Sequence, residues 1–164
     1  MIKVKNISKE FDKSPVLKGI STIFEKGKTN LIIGQSGSGK TVFLKCLLGL
    51  FETNSGQIFF ENSPINLMTT KERTVLRQEI GMVFQGSALF DSMTVEENIM
   101  FPMQMFTKKD DDEVRERANQ VIKRVNLINA NEKYPDEISG GMKKRVAIAR
   151  SIVMNPKYLF CDEP

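Results

Sequence analysis

The 164-residue sequence contains no histidine and only two cysteines. Without an imidazole, the chain offers no His-based catalytic triad and none of the common zinc ligand sets. Cys46 and Cys161 lie in apolar stretches with no CxxC spacing, which reads as two buried structural thiols in a reducing compartment. No apolar run is long enough to cross a bilayer, and residues 1–6 lack the apolar stretch of a secretory leader. Internal repeats and low-complexity segments are missing too. Neither charge sign dominates: 24 basic and 20 acidic side chains leave a net +4. That mild excess suits phosphate ligands or an anionic membrane face, although surface lysine mostly serves solvation. What is present, 40% hydrophobic and 27% charged residues, suits one globular α/β domain with a real core.

The first half of the chain reads as short strands. Residues 2–7 and 16–24 alternate loosely, 25–28 form a glycine-containing turn, and 29–33 are a short apolar strand. Residues 41–50 then carry Leu44, Leu47 and Leu48 at helical spacing. Further strands are expected at 57–61 and 80–84, with a helix at 71–78 between them. After residue 85 the pattern turns helical. Thr94-Val-Glu-Glu97 is a capping box that opens a helix which Pro102 should end. Acidic residues at 110–113 precede Val114, Ala118, Val121, Ile122 and Val125, one apolar helical face. Another helix is expected over 141–154, closed by Asn155-Pro156, and a last apolar strand over 158–161. Met93, Met100, Met103 and Met105 read as helical core, with a flexible contact surface as the alternative.

Three motifs carry chemistry. Gly34-Gln35-Ser36-Gly37-Ser38-Gly39-Lys40-Thr41 matches GxxxxGK[ST] between an apolar run and a helix. Its glycines allow backbone amides to wrap phosphates, and the helix start adds its positive dipole end. Lys40 supplies a point charge to the β- and γ-phosphates, and the Thr41 hydroxyl can ligate Mg²⁺. A chance match in a chain of this length is on the order of 1% or less, given glycine's abundance of about 7%. The second motif is an apolar run ending in two carboxylates, Asp162 and Glu163. A buried strand can deliver the first beside a metal shell and the second toward an attacking water, although many strands end in an acid. The third, Ser139-Gly140-Gly141-Met142, sets a hydroxyl and two glycines at a helix start; alone it reads equally as an ordinary N-cap with a flexible entry.

Taken in order, these motifs resemble the ATP-binding cassettes of ABC transporters. Ser139-Gly140-Gly141 resembles the family's signature, and the run into Asp162-Glu163 resembles Walker B. Phe11, ahead of Val16-Leu17, is similar to the adenine-stacking A-loop aromatic, and Gln85 to the Q-loop glutamine. The resemblance covers essentially the whole chain. It implies a P-loop NTPase fold with a mainly parallel core sheet, an antiparallel β-subdomain, and a helical subdomain inserted after the Q-loop. The corresponding boundaries are 1–85 for the β-subdomain and P-loop core, about 86–150 for the helical subdomain, and 157–164 for the Walker B strand. ATP and Mg²⁺ are the implied cofactors. Phe11, Val16 and residues Gly34 to Thr41 would bind nucleotide. Thr41, Gln85 and Asp162 would hold the metal; Glu163, Lys40 and Gln85 would serve catalysis. Ser139, Gly140 and Gly141 would act on the ATP of a second subunit in a head-to-tail homodimer. The other implied partner is a transmembrane permease subunit, with no nucleic acid involved, at the cytoplasmic side of the cell membrane.

Residues 86–98, with Phe101-Pro102 behind them and Met142 after the glycine pair, resemble the lipid-transport cassettes associated with MCE proteins. Amino-acid or other small-solute import is the alternative. Cassettes of this family continue past Walker B to a D-loop and a switch histidine. The chain is therefore expected to be a C-terminally incomplete cassette, which leaves a nucleotide-binding module without turnover as the alternative for this segment alone.

Overall fold

The computed structural model describes residues 1–162. Two compact units emerge, Met1–Thr74 and Val75–Pro164.

The first unit is built on an antiparallel sheet of β1 (Ile2–Phe11), β2 (Ser14–Phe24), β3 (Ser55–Phe60) and β4 (Ser63–Pro64), in the order β2-β1-β3-β4. A two-residue turn joins β1 to β2: Asp12 and Lys13 have φ of 46° and 63°, the twist that a tight hairpin needs. Along β1, Ile2 and Val4 point inward, and so does Ile7, which strict alternation would turn outward. A register irregularity between Val4 and Ile7, with Asn6 at φ 48°, restores the inward side. These residues share the unit with buried Leu17, Ile58 and Phe60 and with Phe43, Leu44 and Leu47 of α1 (Lys40–Leu47).

The apolar run 29–33 is not a strand. Its Leu31 and Ile33 are 80% and 84% exposed, and among the described residues no strand forms a ladder with it. A strand is defined by its neighbour's hydrogen bonds, so an apolar run without a partner stays irregular.

Helix α2 (Thr70–Gln78) leads into the second unit, where β5 (Ile80–Val83) pairs in parallel with β6 (Tyr158–Cys161), Ile80 opposite Tyr158 and Val83 opposite Cys161. Helices α3 (Val95–Phe106), α4 (Asp111–Arg124) and α5 (Gly140–Ile152) enclose one core of Ile99, Met103, Val114, Val121, Val146 and Val153 among others. Their starts follow local chemistry. Thr94 and Glu97 form the expected capping box, and the Asp110 carboxylate accepts from the Glu113 N–H at 2.8 Å.

Three expectations fail here. Pro102 lies inside α3 and does not end it. The ring removes one backbone bond at a cost of about 3 kcal/mol, but Ile99, Met100 and Met103 on the same helix are almost fully buried, and each contributes about 1.5–3 kcal/mol. The methionines divide, with Met100 and Met103 in the core and Met105 60% exposed. Cys46 is buried as expected, but Cys161 is exposed. Burial alternates along β6, with Tyr158 and Phe160 half-buried while Leu159 and Cys161 face outward.

Candidate functional site

The residues expected to form the site divide between the two units. In the first, the segment from Gly34 to Gly39 leads into α1. The Ser38 N–H donates to the Gln35 carbonyl at 3.2 Å and tightens the loop, while Gly34, Gln35, Ser36, Gly37 and Ser38 are all exposed. Gly39 turns the chain into the helix at φ 94°, a left-handed conformation that side chains resist. A Cβ there would also stand 3.0 Å from Cγ1 of Val16 and 3.2 Å from Cδ2 of Leu17. Glycine is thus required twice over, and β2 is what sets the seat of the loop.

The Lys40 ammonium folds back over this loop, donating to the carbonyls of Gly34 at 2.9 Å and Gln35 at 3.0 Å. Gly39 has no side chain to cap α1, and no acidic residue stands in the helix's first turn, where Thr41 lies half-buried. A helix start, a lysine and exposed loop amides therefore converge, an arrangement suited to a polyphosphate. Phe11 ends β1 at 38% exposure, edge-on to Phe51 with ring centroids 5.4 Å apart and the Lys9 ammonium 5.0 Å from its ring centre. The sequence reading missed Phe51; it lies far from Phe11 along the chain and carries no periodic signal.

In the second unit, the parallel register sets two further candidates at one edge. The Asp162 N–H donates to the Val83 carbonyl at 2.9 Å, so Asp162 follows β6 just where the chain leaves β5 toward Gln85. Gln85 is exposed and Asp162 half-buried, each engaged with neighbours. Glu163 lies outside the described residues. Gly81 on β5 admits the backbone of α5 so closely that a Cβ would fall 2.3 Å from the Ser151 carbonyl oxygen. At the other end of α5, the Ser139 hydroxyl accepts from the Met142 N–H at 3.3 Å. Gly140 and Gly141 follow, exposed, and a Cβ on either would meet nothing within 4 Å. Among the described residues nothing in the fold requires glycine at these two places.

Asn98 and Arg150 also escaped the sequence reading. Asn98 is wholly buried on α3, and Arg150 is half-buried on α5. Desolvation lowers the Arg150 pKa from its usual value. A polar residue within the apolar pattern of each helix was the available signal.

The profile of the ABC transporter family matches residues 17–164. This chain belongs to that family. It is 43% identical over 164 residues to the arginine transport ATP-binding protein ArtM of Bacillus subtilis (strain 168), with 100% of this cassette aligned to 68% of that protein. It is 37% identical over 163 residues to the probable ribonucleotide transport ATP-binding protein mkl of Mycobacterium leprae (strain TN), with 99% aligned to 47%. The cassette therefore spans about half to two thirds of these curated relatives. Among solved structures, the dimeric post-hydrolysis state of the ATP-binding cassette MJ0796, bound to ADP and Pi, superposes with a TM-score of 0.90 at 31% identity, covering 100% of this chain and 74% of that one. The fold is that of an ABC cassette, a P-loop α/β NTPase, and the chain is an ABC-type ATPase domain. Among the described residues no helix is long and apolar enough to cross a membrane.

Proposed function

We propose that this cassette hydrolyses MgATP to drive a transmembrane permease, acting as one of two copies joined head to tail on the cytoplasmic side of the membrane. The observation that carries the reading is the contrast between two helix starts. The loop before α1 is shaped around its own glycine, whereas Gly140 and Gly141 at the head of α5 clear a space that none of the described residues uses. A polyphosphate on the first, covered by the second from another copy, accounts for both.

In this reading Lys40 neutralises the β- and γ-phosphates, and Thr41 and Asp162, with Gln85, offer the hard oxygen donors that Mg²⁺ takes. Bound Mg²⁺ would spread the phosphate charge. Glu163 orients the attacking water, Phe11 and Val16 seat the base, and the Ser139 hydroxyl donates to the phosphate of the other copy. Phosphoryl transfer asks little covalent work of the protein, so positioning and charge neutralisation carry the rate. A groove of about 310 Å³ lined by Met82, Phe84, Phe90, Phe101 and Phe106 suits an apolar segment of the permease.

Lipid is the cargo favoured by the 86–102 segment. Amino-acid import is the second reading, favoured by the 43% identity to ArtM. ATPase stimulation by phospholipid or by arginine, with the permease in bilayer discs, separates them.

The first test of the site is binding of a fluorescent ATP analogue with Mg²⁺, beside a Lys40→Ala control, followed by turnover beside Glu163→Gln. Binding that the first substitution abolishes, and phosphate release that the second abolishes, are expected. Binding indifferent to Lys40→Ala overturns the phosphate site; equal rates with and without the Glu163 carboxylate overturn hydrolysis by this chain.

A further inference from the structure

Just beyond Gln85 the backbone is held in an unfavourable shape. Gly86, Ser87 and Ala88 all have positive φ, at 80°, 69° and 47°. Glycine adopts that region freely, but the two residues after it do not, and strain of this kind persists only where neighbours impose it. Here two backbone bonds close the turn, the Ser87 N–H to the Phe84 carbonyl at 3.0 Å and the Ala88 N–H to the Gly86 carbonyl at 2.8 Å, and one side chain clamps it from outside. The left-handed run turns the carbonyls of Ser87 and Ala88 toward the same point, where Nη2 of Arg150 donates to both, at 2.9 Å and 2.8 Å. The same guanidinium lies 5.7 Å from the ring centre of Phe90.

Asn98 holds the loop from α3. Its Oδ1 accepts from the Phe90 N–H at 2.9 Å, and its Nδ2 donates to the Phe90 carbonyl at 3.0 Å. Nη1 of Arg150 reaches the same Oδ1 at 3.5 Å. Both helices thus grip the loop by its backbone, independently of which side chains the loop carries. Burying a guanidinium is costly, and an apolar side chain would join α3 to α5 at less expense. One nitrogen of the rigid guanidinium serves both loop carbonyls while the other reaches Asn98, so a single planar group ties the loop and α3 to α5.

We infer that Arg150, braced by Asn98, is a positioning residue that locks the loop behind Gln85 to α5, so that a displacement at Gln85 reaches the Ser139-Gly140-Gly141 turn heading the same helix. The relay rests on the proposed reading of Gln85 and Ser139 as nucleotide-facing; the lock does not. With the lock intact, the glutamine and the turn respond to nucleotide as one body. With it broken, the response at the glutamine stops at the loop and no longer carries the turn.

Hydrogen–deuterium exchange on the whole chain tests this, with Arg150→Met and Arg150→Lys beside wild type. Without nucleotide, amides of 86–91 should exchange roughly tenfold faster in Arg150→Met, while those of α4 stay within about twofold. Arg150→Lys keeps the charge and one carbonyl contact, so it should restore protection in part, to about threefold faster than wild type. It also keeps the test open if Arg150→Met does not fold. Loop exchange unchanged in both variants overturns the lock. So does acceleration spread equally through α4 and α5, which would make Arg150 a general prop of the core.

The relay is read with MgATP bound. Wild type should gain protection at both 84–91 and 139–145, and Arg150→Lys, with nucleotide affinity unchanged, at 84–91 alone. Joint protection in Arg150→Lys overturns the relay. A wild-type loop indifferent to bound nucleotide overturns the nucleotide-facing reading of Gln85, and the relay with it, whereas the lock is judged on nucleotide-free exchange.

Discussion

Alanine at Gly39 would have to hold φ at 94° while its Cβ pressed to within 3.0 Å of Val16 and 3.2 Å of Leu17. The left-handed backbone costs a side-chain-bearing residue about 1–2 kcal/mol, and forcing a methyl into occupied space costs about 1–3 kcal/mol more. Gly39→Ala should therefore destabilise the first unit by roughly 2–5 kcal/mol. At Gly141 the same substitution meets open space in the first turn of α5. Alanine there removes glycine's excess chain entropy and should stabilise by up to about 0.5–1 kcal/mol. One chemical change thus moves stability in opposite directions at two glycines of the candidate site. Urea unfolding followed by circular dichroism measures both. Tyrosine emission reports the second unit alone, because Tyr134 and Tyr158, the chain's two tyrosines, both belong to it. Turnover completes the comparison: Gly141→Ala should lose phosphate release while keeping nucleotide binding and a fold at least as stable as wild type. A loss above about 1 kcal/mol at Gly141, or a cost below about 0.5 kcal/mol at Gly39, refutes the reasoning, since the first exceeds what a helix start accounts for and the second falls below the backbone term alone.

Glu72 closes a capping box at the start of α2, accepting from the Thr69 N–H at 2.8 Å and the Thr69 hydroxyl at 2.7 Å. These bonds hold its carboxyl below the usual glutamate range. A depressed folded pKa means the contribution is complete above the unfolded value of about 4.3 and is lost as pH falls through the folded value. An NMR titration should find the Glu72 midpoint lowered, and a midpoint at or above the ordinary value removes the argument. Access separates the cysteines: desolvation raises both thiols, Cys46 against the opposing effect of Lys9, but only Cys46 is closed to solvent. Iodoacetamide should label exposed Cys161 in the folded chain and Cys46 only on unfolding, and equal native rates, read by mass spectrometry, contradict the assigned burial.

How far the sequence reached follows from the range of the physics involved. The starts of α3 and α4 were legible because Thr94, Glu97 and Asp110 act within one turn of themselves. The buried stripe of α4 was legible for the same reason, since its spacing is the helix period. Pro102 misled because its local cost is outweighed by burial of Ile99, Met100 and Met103 against distant residues. The 29–33 run misled because apolar character says nothing about whether a strand has a neighbour. Candidate site residues with fixed spacing, Gly34 to Thr41 and Ser139 to Gly141, stood out on the page. Asn98 and Arg150 did not, because each is explained only by the loop it reaches across space.

The five α-helices among the described residues divide by the charge of their first turns. Glu72 in α2, Glu96 and Glu97 in α3, and Asp111, Asp112 and Glu113 in α4 offset the positive ends of their own helices. Helices α1 and α5 have no acid there, and both begin where a phosphate motif was read. In α5 the imbalance is stronger, because Lys143 and Lys144 follow within the second turn, adding positive charge near an end that already carries it. An anion arriving at that end relieves the repulsion. The Ser139 hydroxyl is placed for such an arrival: it accepts from the Met142 N–H, which leaves its own proton available to donate outward. The lysine that α1 carries at its start is bound to the loop beneath it, so the two ends are complementary without being alike. One holds a cation within its own loop, while the other leaves glycine-cleared space under a donor and a positive field. In the proposed reading, a phosphate seated on the first and closed by the second from another copy uses both ends, and at α5 it accounts for glycines that the described fold does not require.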